Sequence, residues 1–220
     1  MPDPWSGSMM IEGRVVREVS EPPRIVFRSG PGDPIAVAAR EVPGATPRRR
    51  PIRLGRSASR GHAHVITYAD GYRVRLEPDR DGSTVLKSRD GTRIGLIMVT
   101  DTATAISITG GTLCHFVPHP DECRTTDSFR LLVLDQCGAE MGRLSLIRAA
   151  EGWGRRGDDP ADTHLWWDRT GEPLSVPILG ARLAVERRID RDERDALLAA
   201  CVDMVLGLRP YITELKCLDG

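Results

Sequence analysis

From about Arg24 to Arg188 the apolar residues fall in short runs of β-branched and aliphatic side chains separated by glycine-containing turns, a strand pattern rather than a helical one. Tyr72-Arg73-Val74-Arg75-Leu76-Glu77 alternates with period two, so one face of that strand is wet. Ala69-Asp70-Gly71 separates His64–Tyr68 from Tyr72–Glu77, and Arg89-Asp90-Gly91 separates Thr84–Ser88 from Arg93–Val99. Asp-Gly favours the positive φ angles of tight hairpins. Gly110-Gly111 closes Thr104–Thr109, the segment Asp135 to Gly138 joins Phe129–Leu134 to Met141–Ile147, and Arg169-Thr170-Gly171 joins Leu165–Trp167 to Leu174–Ile178. The pattern predicts a meander of about a dozen strands, and a sheet that long curls or closes to remove its edges. A barrel or sandwich is expected.

The meander ends at Leu183–Ile189, where the period changes. Asp190 is placed as an N-cap with Glu193 three residues on to complete a capping box, and Asp192 and Asp195 lie near the positive end of the helix dipole. The body from Ala196 to Leu206 is apolar all round except at Asp203, and Gly207 followed by Pro210 ends it. The run reaches only ~16 Å, about half a bilayer core, so it predicts a core helix over about 191–207 rather than a membrane span. Val42 to Arg60 and Glu151 to Asp162, rich in Gly, Arg and other polar residues, read as insertions rather than domain boundaries. The expected organisation is an N-terminal extension or first strand over 1–23, one barrel domain over 24–210, and a tail over 211–220.

Gly-turn strands such as Thr84-Val85-Leu86-Lys87-Ser88-Arg89-Asp90-Gly91-Thr92-Arg93-Ile94-Gly95, followed by the terminal Asp190–Val202 segment, resemble the tubby C-terminal-like superfamily. That group includes tubby domains, the phospholipid scramblases and the LURP-one-related proteins. The resemblance is one of pattern and order, over about residues 24 to 210. It implies a closed antiparallel β-barrel of about 12 strands with the hydrophobic C-terminal helix through its centre. It also implies binding of phosphoinositide by surface basic residues. No tubby signature peptide is visible, and the cysteine-rich palmitoylation stretch and calcium loop of scramblases have no counterpart, so calcium-driven lipid transport is not implied. A barrel plugged by Leu197, Leu198, Val202, Met204 and Val205 leaves no room for a ligand inside, which moves function to the outer surface.

Composition narrows the partners. The 220 residues carry 31 basic and 31 acidic side chains, so no global field steers the chain to nucleic acid or to an acidic membrane, and any electrostatic partner is recruited by a local patch. Only Lys87 and Lys216 are lysines, which reads first as the codon bias of a GC-rich genome. The five cysteines, Cys114, Cys123, Cys137, Cys201 and Cys217, are odd in number and irregularly spaced, as expected of reduced thiols in the cytoplasm. Met1–Trp5 lacks a secretory signal pattern and no apolar run of spanning length exists, so the expected address is cytoplasmic, peripheral at a membrane.

The sharpest charge feature is Arg48, Arg49, Arg50, Arg53, Arg56 and Arg60, six guanidiniums with no acid between Val42 and Ala69, a candidate site for anionic head groups; the competing reading is a solvated loop. Cys114, His115, His119 and Cys123 bring two thiols and two imidazoles together, but their spacing fits no standard zinc site, and Pro118 and Pro120 favour an ordinary rigid loop. His62 and His64 would share a face if both lay on a strand. Trp166 and Trp167 would point to opposite faces, one of them a candidate surface anchor. Gly55–Gly61 lacks the lysine and spacing of a phosphate loop, and no nucleophile elbow or zinc-protease pair is present. The expectation is a non-enzymatic binding module without cofactor, taking anionic phospholipid head groups or a protein partner on the barrel's outer face. The alternative is a small enzyme with a surface cleft that uses His62, His64, His115 or His119 as base.

Overall fold

The computed structural model describes residues 9–18, 21–41, 62–79, 82–99, 103–119, 128–148, 166–167, 173–174 and 178–206. The strands are β1 (Met9–Glu18), β2 (Glu21–Arg28), β3 (Ala36–Arg40), β4 (His64–Tyr68), β5 (Arg73–Pro78), β6 (Thr84–Ser88), β7 (Arg93–Val99), β8 (Ala103–Ser107), β9 (Thr112–Pro118), β10 (Ser128–Leu134), β11 (Glu140–Arg148), β12 (Trp166–Trp167), β13 (Pro173–Leu174) and β14 (Ile178–Val185). One helix, α1 (Arg191–Val205), follows. Twelve strands form a closed antiparallel barrel in the order β1-β14-β11-β10-β9-β8-β7-β6-β5-β4-β3-β2, and β2 pairs back with β1.

Alternation builds the wall: on β4 His64, Ile66 and Tyr68 face in, while Val65 and Thr67 face out. The hairpins repeat one device. At Tyr68–Tyr72, Asp79–Ser83, Ser88–Thr92, Ser107–Gly111 and Asp135–Ala139 the first residue's N–H donates to the fifth residue's carbonyl, and the fourth residue's N–H donates back to the first. That fourth residue is always a glycine at positive φ, from +81° at Gly138 to +94° at Gly82, as a type I turn with a glycine bulge requires.

Of the two readings of residues 1–23, the structure has the first strand: β1 and the start of β2 lie within them, so the barrel begins before Arg24, with Pro22 and Pro23 inside β2. Three expectations are corrected. Cys114–Pro118 is strand rather than rigid loop, because Pro118 sits at the end of β9, where a missing N–H costs least. β12 and β13 pair only with each other and stand outside the barrel. The last barrel strand is Ile178–Val185, so Glu186–Asp190 connects wall to helix.

Helix α1 opens with the expected capping box: the Glu193 N–H donates to Asp190 Oδ1 (2.8 Å) and the Asp190 N–H to Glu193 Oε2 (3.0 Å). Every residue from Asp195 to Val205 is buried, and the helix packs on β6, β7, β9 and β14 inside the ring. Two of those residues are carboxylates. Asp203 Oδ1 accepts from Thr84 Oγ1 (3.2 Å). Asp195, 1% exposed, accepts on Oδ1 from the Tyr68 hydroxyl (2.6 Å) and from Arg194 Nε (3.0 Å) and Nη2 (2.9 Å). The Arg194 guanidinium lies 4.0 Å from the Tyr68 ring centre, Tyr72 stacks on Tyr68 at 5.6 Å, and Arg191 lies 3.7 Å from the Tyr72 ring. Together these rings and guanidiniums cover the end of the barrel where α1 enters.

Closure is tightest between β1, β14 and β11. A Cβ at Gly142 would run into the Ala184 carbonyl oxygen, one at Gly180 into the Gly13 carbonyl, and one at Gly13 into the Phe27 ring. Gly180→Ala and Gly142→Ala are each expected to cost about 2–4 kcal/mol in urea unfolding, whereas Gly32→Ala, with open space around it, stays near wild type. Leu198 is fully buried, and Leu198→Asp is expected to cost several kcal/mol and abolish soluble folded protein, read by circular dichroism. Burial, then the Asp195 charge, raise the Tyr68 pKa well above its ordinary value. The neutral phenol is thus favoured by folding; its contribution is complete below about pH 10 and is lost as pH rises towards the folded-state value. Tyr68→Phe is expected to lose about 1–3 kcal/mol at pH 7 and to show a weaker stability decline above about pH 10 than wild type, both read by urea titration.

Candidate functional site

The barrel interior is occupied by α1, so candidate chemistry lies on the wall and rims. The six arginines Arg48, Arg49, Arg50, Arg53, Arg56 and Arg60 fall outside the described residues, as does Cys123.

The histidines do not form one site. His62 precedes β4, is exposed, and lies with its Nδ1 2.7 Å from Arg40 Nη2; His64 is buried on the inner face of β4. The condition for a shared face is not met: the strand begins only at His64, whose side chain is buried, while His62 is exposed. His115 is on the outer face of β9, with Nδ1 3.1 Å from Thr104 Oγ1. Cys114, its neighbour, points inward and is fully buried. Period-two geometry therefore puts Cys114 and His115 on opposite sides of the wall, where they cannot share a metal ion. His119 follows the end of β9. Among the described residues no group of three or more His, Cys, Asp or Glu is placed to hold a metal. Burial pushes the Cys114 thiol far up and the Cys201 thiol up to about 12, which leaves both inert.

A basic groove lies on the outer face of β1, β2 and β14. The register places Arg182 opposite Glu12 on one side and Arg28 opposite Glu12 on the other, so the three side chains form a row across three strands; Arg14 is the next outward residue on β1. The groove encloses about 560 Å³ and is lined by Met10, Glu12, Arg14, Val16, Val26, Arg28, Gly30 and Arg182. Arg14 Nε donates to Glu12 Oε1 (3.1 Å), Arg182 Nη2 stands 3.8 Å from the same oxygen, and Arg28 Nη1 donates to the Gly32 carbonyl (2.6 Å). Arg14 and Arg182 thus share the Glu12 carboxylate while Arg28 is tied to a backbone carbonyl, and the Arg14 side chain is 74% exposed.

The wall around β5 and β6 provides the contrast. There Arg75 pairs with Glu41 (2.7 Å) and Glu77, and Lys87 pairs with Glu77, so these two cations are each held by a carboxylate, with the exposed Arg73 and Arg93 beside them. The rim cleft at the start of α1, about 750 Å³ and lined in part by Arg187, Arg188, Asp190, Arg191 and Glu193, is likewise largely self-paired: Arg187 Nη2 donates to Glu193 Oε1 at 2.6 Å. Among the described residues, the β1–β2–β14 groove sets three guanidiniums and one carboxylate over an aliphatic floor.

Sequence reasoning missed this groove because its arginines are remote along the chain. The available signal was their outward position on strands of period two. Among the described residues no helix is long and apolar enough to cross a membrane. No family model, curated protein or solved structure matches the chain.

Proposed function

We propose that this protein is a non-enzymatic binding module that takes anionic phospholipid head groups on the outer face of its barrel. The observation that carries the reading is the groove of Arg14, Arg28 and Arg182 around the single carboxylate of Glu12. Guanidinium forks suit phosphate oxygens, and a basic residue near an anionic membrane contributes about 1 kcal/mol. The net excess of two charges in the groove therefore supplies roughly 2 kcal/mol, a weak attraction that other basic residues strengthen. The filled interior supports a surface role, and the barrel-and-helix architecture is the one that the resemblance to the tubby-like group implies. The separation of His64 and His115 across the wall gives the alternative of a histidine-based enzyme no shared pocket for those two residues.

Co-sedimentation with phosphatidylserine-containing vesicles tests the proposal, with phosphatidylcholine vesicles as the neutral control. Wild type is expected to bind the anionic vesicles and to be released as salt shortens the screening length below about 8 Å. Combined Arg14→Ser, Arg28→Ser and Arg182→Ser substitutions should lower binding on the order of a hundredfold, while Arg75→Ser with Lys87→Ser should behave as wild type. A wild type that ignores anionic vesicles overturns the function. Loss of binding confined to a variant with Arg48, Arg49, Arg50 and Arg53 changed to Ser overturns the groove as the site and moves it to that segment.

A further inference from the structure

The groove is not uniformly polar, and its apolar residues say how a lipid surface would meet it. Met10 is 54% exposed, one of three exposed large apolar residues among those described, and it alone of the three lines the basic groove. Its cross-strand neighbour on β14 is Ala184, and Gly30 lines the groove beside it, so small residues leave the methionine standing proud of the wall. Val16 and Val26 supply half-buried aliphatic surface on the same floor. Beyond Ala184 the register continues to the exposed Arg143 on β11, which is itself paired with Glu140 (2.7 Å). From β2 to β11 the outward arginines Arg28, Arg14, Arg182 and Arg143 thus cross three strand spacings, roughly 15 Å. That span is too wide for one phosphate.

Resting on the reading above, we infer that the barrel docks on its side, with β2, β1, β14 and β11 against the bilayer and Met10 entering the boundary between head groups and acyl chains. Arginine side chains run their methylene stems along apolar surface while the guanidiniums remain at phosphate depth, and an unbranched thioether adapts to irregular lipid packing. A soluble phosphate would engage the guanidiniums and gain nothing from Met10. The occupant is therefore a lipid surface, and the combined apolar and electrostatic terms are those of an interfacial anchor.

The test places an environment-sensitive fluorophore at residue 10 (Met10→Cys) or at residue 67 on the outer face of β4, two strands beyond β2 and off the docking face (Thr67→Cys). Cys123, Cys137 and Cys217 are changed to Ser, and the buried Cys114 and Cys201 are left in place. With phosphatidylserine vesicles the label at residue 10 should shift to the blue and brighten, and the label at residue 67 should not. Glycerophosphoserine, the same head group without acyl chains, should leave both unchanged. In the unlabelled protein, Met10→Asp should cut vesicle binding roughly fivefold and Met10→Leu should retain it, both with wild-type thermal stability. Vesicle binding with a water-like label at residue 10, or undiminished binding by Met10→Asp, overturns side-on insertion while leaving head-group binding intact. Absence of vesicle binding by wild type overturns both.

Discussion

A helix buried on all its faces has to be enclosed on all its faces. From Asp195 to Val205 no residue of α1 reaches solvent, and no open sheet or sandwich could cover that whole circumference. The requirement is met by closure: β1 pairs with β14 as well as β2, and the ring has no exposed edge. Small residues make the fit possible. Ala196, Ala199 and Ala200 keep the helix slim, and Gly13, Gly142 and Gly180 let the backbones of β1, β14 and β11 approach where a Cβ would collide. The consequence of this solution is an interior filled by α1 from Asp195 to Val205.

Polar groups inside such a core restrict how the helix can sit. A carboxylate taken from water costs several kcal/mol unless its hydrogen bonds are replaced. Asp195 recovers them on Oδ1 alone, from Tyr68 and Arg194 at the mouth, its buried Oδ2 having no hydrogen-bond partner among the described residues, and Asp203 has Thr84 of β6 beside it two turns deeper. A rotation of α1 that kept its apolar residues buried would still separate Asp195 from β4 and Asp203 from β6. The two contacts therefore select one rotation among several that apolar burial alone would tolerate.

What was legible in the sequence was mostly local. The capping box at Asp190 and Glu193, the glycine turns and the alternation on β5 are each written within a few residues; the structure contains the box, the alternation and the turns at Gly71, Gly91, Gly110 and Gly138, while the turn at Arg169–Gly171 lies outside the described residues. The helix could be read as buried because its composition left it no exposed face. Harder to read were features set by distant contacts. Pro22 and Pro23 obscured β2, while Pro118 and its neighbouring histidines made the end of β9 resemble a loop. Asp195 looked like a dipole partner at the helix start and is instead held inside by Tyr68, 127 positions away. The groove is the extreme case: Arg14 and Arg28 become neighbours through one hairpin, but Arg182 joins them only when the first and last strands of the barrel meet.

The position of α1 along the chain has a consequence for biosynthesis. The segment that fills the barrel follows all of the strands, so during synthesis the wall emerges before anything exists to pack inside it. Hairpins with glycine-bulge turns can form locally as they leave the ribosome, but their inward faces stay without a partner until α1 arrives. Nascent strands in that interval expose the same apolar surface that later forms the core. A chaperone that shields strand faces, or rapid completion of translation, would accordingly govern yield more than the intrinsic rate of any single hairpin. Premature termination before Asp190 would leave a wall with nothing to close around.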